Sequence, residues 1–285
     1  MNKTDRKVLK RNPKDRLAKY GVNASLVLVS LAFVTPLAWL VFASLDRNAG
    51  VSSVVPESLT LQNYEEIMRP DVALLPIWNS LLLSFGTAFL TIFISVLAAY
   101  PLSRYKMRFN QTYLYVILFS SSLPITAIMV PVYSLFVRLG QLDSMLAVIL
   151  FMSASSLPFS IWLTKNFMDS VPVSLEEAAW VDGASTATTL RRIVVPLMTP
   201  GLSVVFIFVF IQAWGNFFVP FLLLFSKEKE TAAVTIFRFF GQYGEIAYGE
   251  LAAFSILYAL PVVSLYFVMS RSLGGSFALA GAVKG

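Results

Sequence analysis

Six stretches of this chain carry no Asp, Glu, Lys or Arg. They run from Tyr20 to Leu45, Val72 to Ser103, Phe109 to Val137, Ser144 to Thr164, Ile193 to Ser226 and Leu251 to Ser270. Each is at least the ~20 residues that a helix rising ~1.5 Å per residue needs to cross a hydrocarbon core of ~30 Å. Pro76, Pro101, Pro196 and Pro200 sit near the ends of the two longest stretches and trim each to one helix. The expectation is an all-α membrane protein with six transmembrane helices.

The distribution of basic residues orients these spans. Sixteen of the 22 Lys and Arg fall in the N-terminal tail, the second and fourth connections and the C-terminal tail. The other side has Arg47, Arg69, Arg138, Lys227, Lys229 and Arg238. Both termini and the fourth connection are therefore expected in the cytoplasm. The net charge of +6 is a topology signal and not a nucleic-acid footprint. The first apolar run is too long for a cleavable leader and has no small-x-small cleavage site. The division that follows is a basic tail over 1–20, a six-helix membrane domain over 21–271 and a second tail over 272–285.

Composition removes several chemistries. Charged residues are 13% of the chain, about half the usual ~25%. There is no cysteine and no histidine, so thiolate metal sites, disulfides and the commonest general base are absent. The spans hold no acid or base of the kind a proton-coupled carrier uses. Sodium held by carbonyls and hydroxyls remains open. No G-x-x-x-x-G-K-[ST] phosphate loop occurs, and Asp169, Glu176, Glu177 and Asp182 have no nucleophile beside them. The chain is not expected to be an enzyme or to bind a cofactor, and its energy source is expected to be another polypeptide.

The fourth connection, about 166–199, is where such a polypeptide would meet it. Ser174 and Glu177 have capping-box spacing just after Pro172. Leu175, Ala178 and Ala179 give a narrow apolar face, with Glu176 and Asp182 pointing elsewhere. Gly183 breaks this helix. Ser185 or Thr186 caps a second one carrying Leu190, Ile193 and Val194, with Pro196 near its end and Thr188 and Thr189 on its outer side. Insertion into a partner's groove and a helix lying along the lipid interface both fit this pattern.

Two stripes lie within the spans. Ser80, Ser84, Thr87, Thr91 and Ser95 share one helix face, which favours close helix packing over a hydrophilic lining. Gln212, Gly215 and Asn216 share another, and amides at membrane depth must face protein or water. Gln212 and Asn216 are candidates for lining a solute path or for hydrogen bonding between helices. Asn79, near the outer mouth, is a third candidate that can instead serve as a cap. Trp214 falls on a different face with Phe210, Phe218 and Phe221 and is expected against lipid or a partner. The acids Asp46, Glu57, Glu65, Glu66 and Asp71 crowd the first outer loop, which fits simple solvation or a receptor surface.

Glu177-Ala178-Ala179, three residues, Gly183, nine residues and Ile193-x-Val195-Pro196 resemble the EAA motif of ABC importer permeases, EAA-x3-G-x9-I-x-LP, with Val195 in place of Leu. Asp182, Ala184 and Pro200 also match. The similarity extends through Asn79-Ser80-Leu81, Ala99-Tyr100-Pro101-Leu102-Ser103-Arg104, Leu123-Pro124, Pro158-Phe159-x-Ile161-Trp162-Leu163, Trp214-Gly215-Asn216-Phe217 and the terminal Gly281-Ala282-Val283-Lys284-Gly285. Together these resemble the MalG-like permeases of carbohydrate importers.

The resemblance implies the type I ABC importer permease fold in a bacterial-type cell membrane. It implies a second homologous permease, two ATPase subunits that hold ATP and Mg, and an extracytoplasmic solute-binding protein. Leu175, Glu176, Glu177, Ala178, Ala179, Asp182, Gly183, Ala184, Ile193 and Pro196 would couple to the ATPase, and Lys284 and its neighbours would reach the ATPase interface. Residues 227–250, with Gly241-Gln242-Tyr243-Gly244, resemble the segment that faces the binding protein. The alternatives are a permease for glycerol phosphates or polyamines, and a stand-alone secondary transporter.

Overall fold

The computed structural model describes residues 13–50, 56, 59–105, 108, 110–120, 124–240 and 246–282. The start of the basic tail, Glu57, Leu123, Gly241-Gln242-Tyr243-Gly244 and Val283-Lys284-Gly285 lie outside the described residues. Everything regular among the described residues is helical. The elements are α1 (Pro13–Ser44), α2 (Gln62–Ile67), α3 (Leu75–Arg104), α4 (Asn110–Ser120), α5 (Ile125–Arg138), α6 (Met145–Asp169), α7 (Val173–Val181), α8 (Thr186–Thr189), α9 (Val195–Leu197), α10 (Thr199–Trp214), α11 (Phe218–Leu223), α12 (Ala232–Arg238) and α13 (Tyr248–Ala282). A wide π turn, Pro70–Leu74, leads into α3, and a second, Leu190–Val194, joins α8 to α9.

Four of the expected spans are continuous apolar helices: Tyr20–Ser44, Pro70–Arg104, Met145–Asp169 and Tyr248–Ser270. The other two charge-free stretches are bent. The axes of α4 and α5 lie at 85°, and the helical run Thr186–Leu197 meets α10 at 77°. The 16 residues of α10 reach only ~24 Å, short of a full crossing. Pro220 explains the stop. A proline excludes the helical bond to the residue four before it, here Asn216, and the chain breaks at Gly215-Asn216-Phe217 before resuming as α11. Asn216 Oδ1 then accepts from the Val219 N–H at 3.0 Å and starts α11. Pro101, by contrast, does not end α3, which continues one turn through it to Arg104 because Tyr105 N–H still reaches the Pro101 carbonyl at 3.0 Å.

The bundle is organised around the pair α3 and α6. Ser80, Ser84, Thr87, Thr91 and Ser95 on α3 are all buried, as are Ser153, Ser160 and Thr164 on α6. The hydroxyl stripe is thus a packing surface, small enough to let two long helices approach closely. Gly86 belongs to the same contact, since a Cβ there would lie 2.9 Å from Ile149 Cδ1. On the far face of α3, α10 and α13 enclose a core of Ala88, Val205, Phe206, Val209, Phe210 and Trp214. The helix α1 lies along α13, and Leu26, Leu28, Phe33 and Leu37 on it are exposed. An apolar helix so open to its surroundings is built for lipid, not water.

Two knots hold the end of the bundle opposite α7. Asn63 Nδ2 donates to the Ser44 and Asp46 carbonyls at 3.0 and 2.9 Å and so caps the end of α1. Asp143, at φ 60°, accepts from the backbone N–H of Phe225 and Ser226 at 3.0 and 3.1 Å, from the Ser226 hydroxyl, and from Lys229 at 2.8 Å. Burial favours the neutral carboxyl of Asp143, but Lys229 and these hydrogen bonds outweigh it and hold the group well below the usual carboxylate range. Glu230 moves the other way. Its burial raises the carboxyl above its ordinary value despite the Thr235 hydroxyl and a 2.6 Å ion pair with Arg238.

Candidate functional site

The helix α7 is set by its two ends. Pro172, at φ −60° and ψ 127°, takes the N-cap position, so α7 begins at Val173. Ser174 then sits inside the first turn and caps nothing. The expected capping box with Glu177 is not formed, because the helix starts two residues earlier than the box requires. At the other end, Ala184 N–H reaches the Ala179 carbonyl at 2.9 Å and Gly183 N–H reaches Trp180 at 3.0 Å. This is a Schellman stop, and Gly183 supplies the left-handed residue it needs at φ 83°. Ser185 caps α8, accepting from Thr188 N–H at 3.3 Å.

Glu176 anchors α7 to the bundle. Its side chain is wholly buried, and it receives Arg104 Nε at 2.6 Å and the Tyr100 hydroxyl at 2.8 Å. Arg104 also donates to the Val171 carbonyl at 3.1 Å and the Ser103 hydroxyl at 3.0 Å, and Ser103 donates to Asp169 at 2.6 Å. Beneath this network, Val96, Ala99 and Tyr100 of α3 pack with Met168, Val171, Val194 and Met198. The end of α3, the end of α6 and the connection that follows α6 are one packed unit.

The other residues of the EAA pattern divide by position. Leu175, Glu177, Ala178, Asp182, Gly183 and Pro196 are exposed, while Ala179, Ala184 and Ile193 are half-buried. Val181 is 88% exposed, and with Leu175 and Ala178 it leaves an apolar surface uncovered on the side away from Glu176. Thr189 is fully buried, which corrects its expected place on the outer side of the second helix. The π turn at Leu190–Val194 rotates that face inward. The sequence reading missed Arg104 and Tyr100 as partners of Glu176. The segment 99–104 stood out as a motif, but nothing local pairs it with a residue 72 positions away.

A second feature lies at the break in α10. Gln212 and Asn216 border a cavity of about 280 Å3 between α5, α6 and α10, together with Ser155, Ser156, Phe159 and Phe208. Asn79 is elsewhere. Its amide donates to the Glu228 and Glu230 carbonyls at 2.8 and 2.9 Å and ties the outer segment to the head of α3. Trp214 is 3% exposed, stacked between Phe210 and Tyr258, with the Tyr258 hydroxyl on its carbonyl at 2.8 Å. The expectation that it meets lipid or a partner is corrected, because α13 covers that face of α10.

An apolar helical bundle with a short helix clamped across one end, and with polar side chains between its helices, has the architecture of a polytopic membrane protein. The chain belongs to the family described as binding-protein-dependent transport system inner membrane components, whose family model matches residues 91–274. It is 30% identical to the sulfoquinovosyl glycerol transport system permease protein SmoH of Agrobacterium fabrum, over 93% of each chain. It is 28% identical to the trehalose transport system permease protein SugB of Mycobacterium tuberculosis, over 95% of this chain and 99% of that one. The fold matches a chain in the crystal structure of a bacterial ABC transporter involved in the import of the acidic polysaccharide alginate. That match has a TM-score of 0.80 and 20% identity, and covers 91% of this chain and 98% of the other.

Proposed function

We propose that this chain is the transmembrane permease subunit of an ABC importer for sugars, forming the path with a second homologous permease. The observation that carries the reading is α7. It is fastened to the bundle by Glu176 and presents Leu175, Glu177, Ala178, Val181 and Asp182 outward. A helix held from below and bare and apolar above is a socket piece for another protein. The 16-to-6 division of basic residues supports six spans with both termini and α7 in the cytoplasm, where ATPase subunits would meet it. ATP and Mg belong to those subunits, and this chain supplies no cofactor site. The tails 1–20 and 272–285 flank the membrane domain 21–271, and 166–199 is the coupling segment. A solute-binding protein would deliver sugar at the opposite end, over α2 and α12. The sugar cargoes in the names of the two relatives support the carbohydrate assignment.

In this reading, closure of the ATPases moves α7, and the buried Arg104–Glu176 pair carries the movement to α3 and α6. Of the two, α6 borders the cavity at Gln212 and Asn216, so the path and the motor share one packed unit. Co-reconstitution tests this. The chain, a second permease, the ATPases and the binding protein in proteoliposomes should take up sugar only with ATP and only when all are present. Uptake by this chain alone would overturn the assignment.

A further inference from the structure

The cavity at the α10 break has a composition that selects among solutes. None of its lining residues is charged. The Gln212 side chain makes no hydrogen bond among the described residues. Asn216 commits its oxygen to Val219 N–H, and its amide N–H donors have no partner among the described residues. Ser156 adds a hydroxyl that also has none among them, while the Ser155 hydroxyl is already donated to the Phe151 carbonyl at 3.0 Å. The opposite quality comes from Phe159 of α6 and Phe208 of α10, whose ring centroids lie 4.6 Å apart at 39°. Amides that both donate and accept match adjacent hydroxyls, and aromatic rings match the apolar C–H faces of a pyranose.

We propose that this subunit itself holds a neutral glycosyl unit in that cavity, its hydroxyls on Gln212, Asn216 and Ser156 and one ring face against Phe159 and Phe208. This deepens the sugar-permease reading and rests on it. A phosphate, sulfate or carboxylate brought to membrane depth needs a cation, and a polyamine needs an acid. The cavity offers neither. Its volume is at the low end of the ~300–1,000 Å3 of small-molecule pockets, so it takes about one or two rings at a time.

The test uses the complete importer in proteoliposomes with labelled glucose, trehalose, maltotriose, alginate trisaccharide, glycerol 3-phosphate and spermidine. The wild type is expected to move at least one neutral saccharide. Gln212→Leu and Phe159→Ala should each slow that uptake about tenfold, as expected for a lost polar or stacking contact. Phe159→Tyr, which keeps the ring, should retain it, and the ATPase subunits should co-purify with all three variants. Unchanged saccharide uptake in Gln212→Leu and Phe159→Ala overturns the site and leaves the permease reading standing. So does a wild type that moves only the acidic saccharide. A wild type that moves none of the saccharides overturns the sugar reading itself.

Discussion

Arg104 at the end of α3 and Glu176 in α7, 72 residues apart in the chain, form a 2.6 Å ion pair whose side chains are 5% and 0% exposed. The pair joins a helix of the membrane bundle to the helix that would meet the ATPase. Tyr100 fills the second carboxylate oxygen and the Val171 carbonyl takes a further guanidinium donor, so the burial cost of both charges is offset by hydrogen bonds.

Removing either partner should therefore be worse than removing both. Glu176→Ala or Arg104→Ala strands a buried charge, at a cost of about 3–5 kcal/mol. Each should lower the melting temperature of the detergent-solubilised chain and abolish coupled uptake. The double replacement Arg104→Met with Glu176→Leu should recover much of the stability while transport stays impaired. A double-mutant cycle on thermal unfolding measures the interaction, and additive single effects would refute it.

Gly183 makes a different prediction because its Cβ would meet nothing within 4 Å. The obstacle to a side chain is the left-handed backbone, costing about 1–2 kcal/mol for most residues and more for a β-branched one. Gly183→Val should leave membrane insertion intact but weaken ATPase co-purification. Gly183→Asn, which tolerates this conformation, should be close to wild type. Glu177→Lys, at an exposed position of the same surface, should weaken co-purification without affecting thermal stability. Equal retention of ATPase by all three variants would argue against docking at α7.

Gly201 is constrained by packing. A Cβ there would fall 2.3 Å from Phe167 Cγ, where α10 crosses the end of α6. Gly201→Ala should destabilise the chain by about 1–3 kcal/mol through overpacking, and Phe167→Leu should restore part of the loss. Thermal unfolding of the single and double variants is the measurement.

Asp143 gives a pH signature. Its folded carboxyl titrates well below the ~3.9 of an unfolded aspartate. Its contribution is therefore fully present above about pH 4 and lost as pH falls through the folded value. Asp143→Asn keeps a side chain suited to φ 60° and removes the charge. The variant should melt below the wild type by a constant interval from about pH 5 to 8, and the interval should close under more acidic conditions. Limited proteolysis near Lys227 and Lys229 should accelerate in parallel.

The apolar windows and the EAA spacing were legible because both are properties of consecutive residues. A window free of charge is apolar whatever surrounds it, and Gly183 ends a helix through its own backbone. The hydroxyl stripe was read correctly as packing for the same reason, since its period is that of one helix. The breaks were less legible. Pro220 stops α10 at Asn216, but a charge-free window does not reveal that its helix is two pieces.

Pairing across the chain was decided by the tertiary structure alone. Glu176 looked like one more outward acid of a coupling helix, and only the arrival of Arg104 and Tyr100 from α3 made it the tether. Asn79 looked like a lining residue or a cap until the carbonyls of Glu228 and Glu230 claimed its amide. Trp214 looked set against lipid or a partner until α13 covered it. Sequence alone determined which segments are apolar and where α7 ends, because hydropathy and backbone propensity act locally. Which polar groups are spent on the fold and which stay free for a solute depended on contacts between distant segments, because hydrogen bonds are satisfied by whatever the bundle brings within 3 Å.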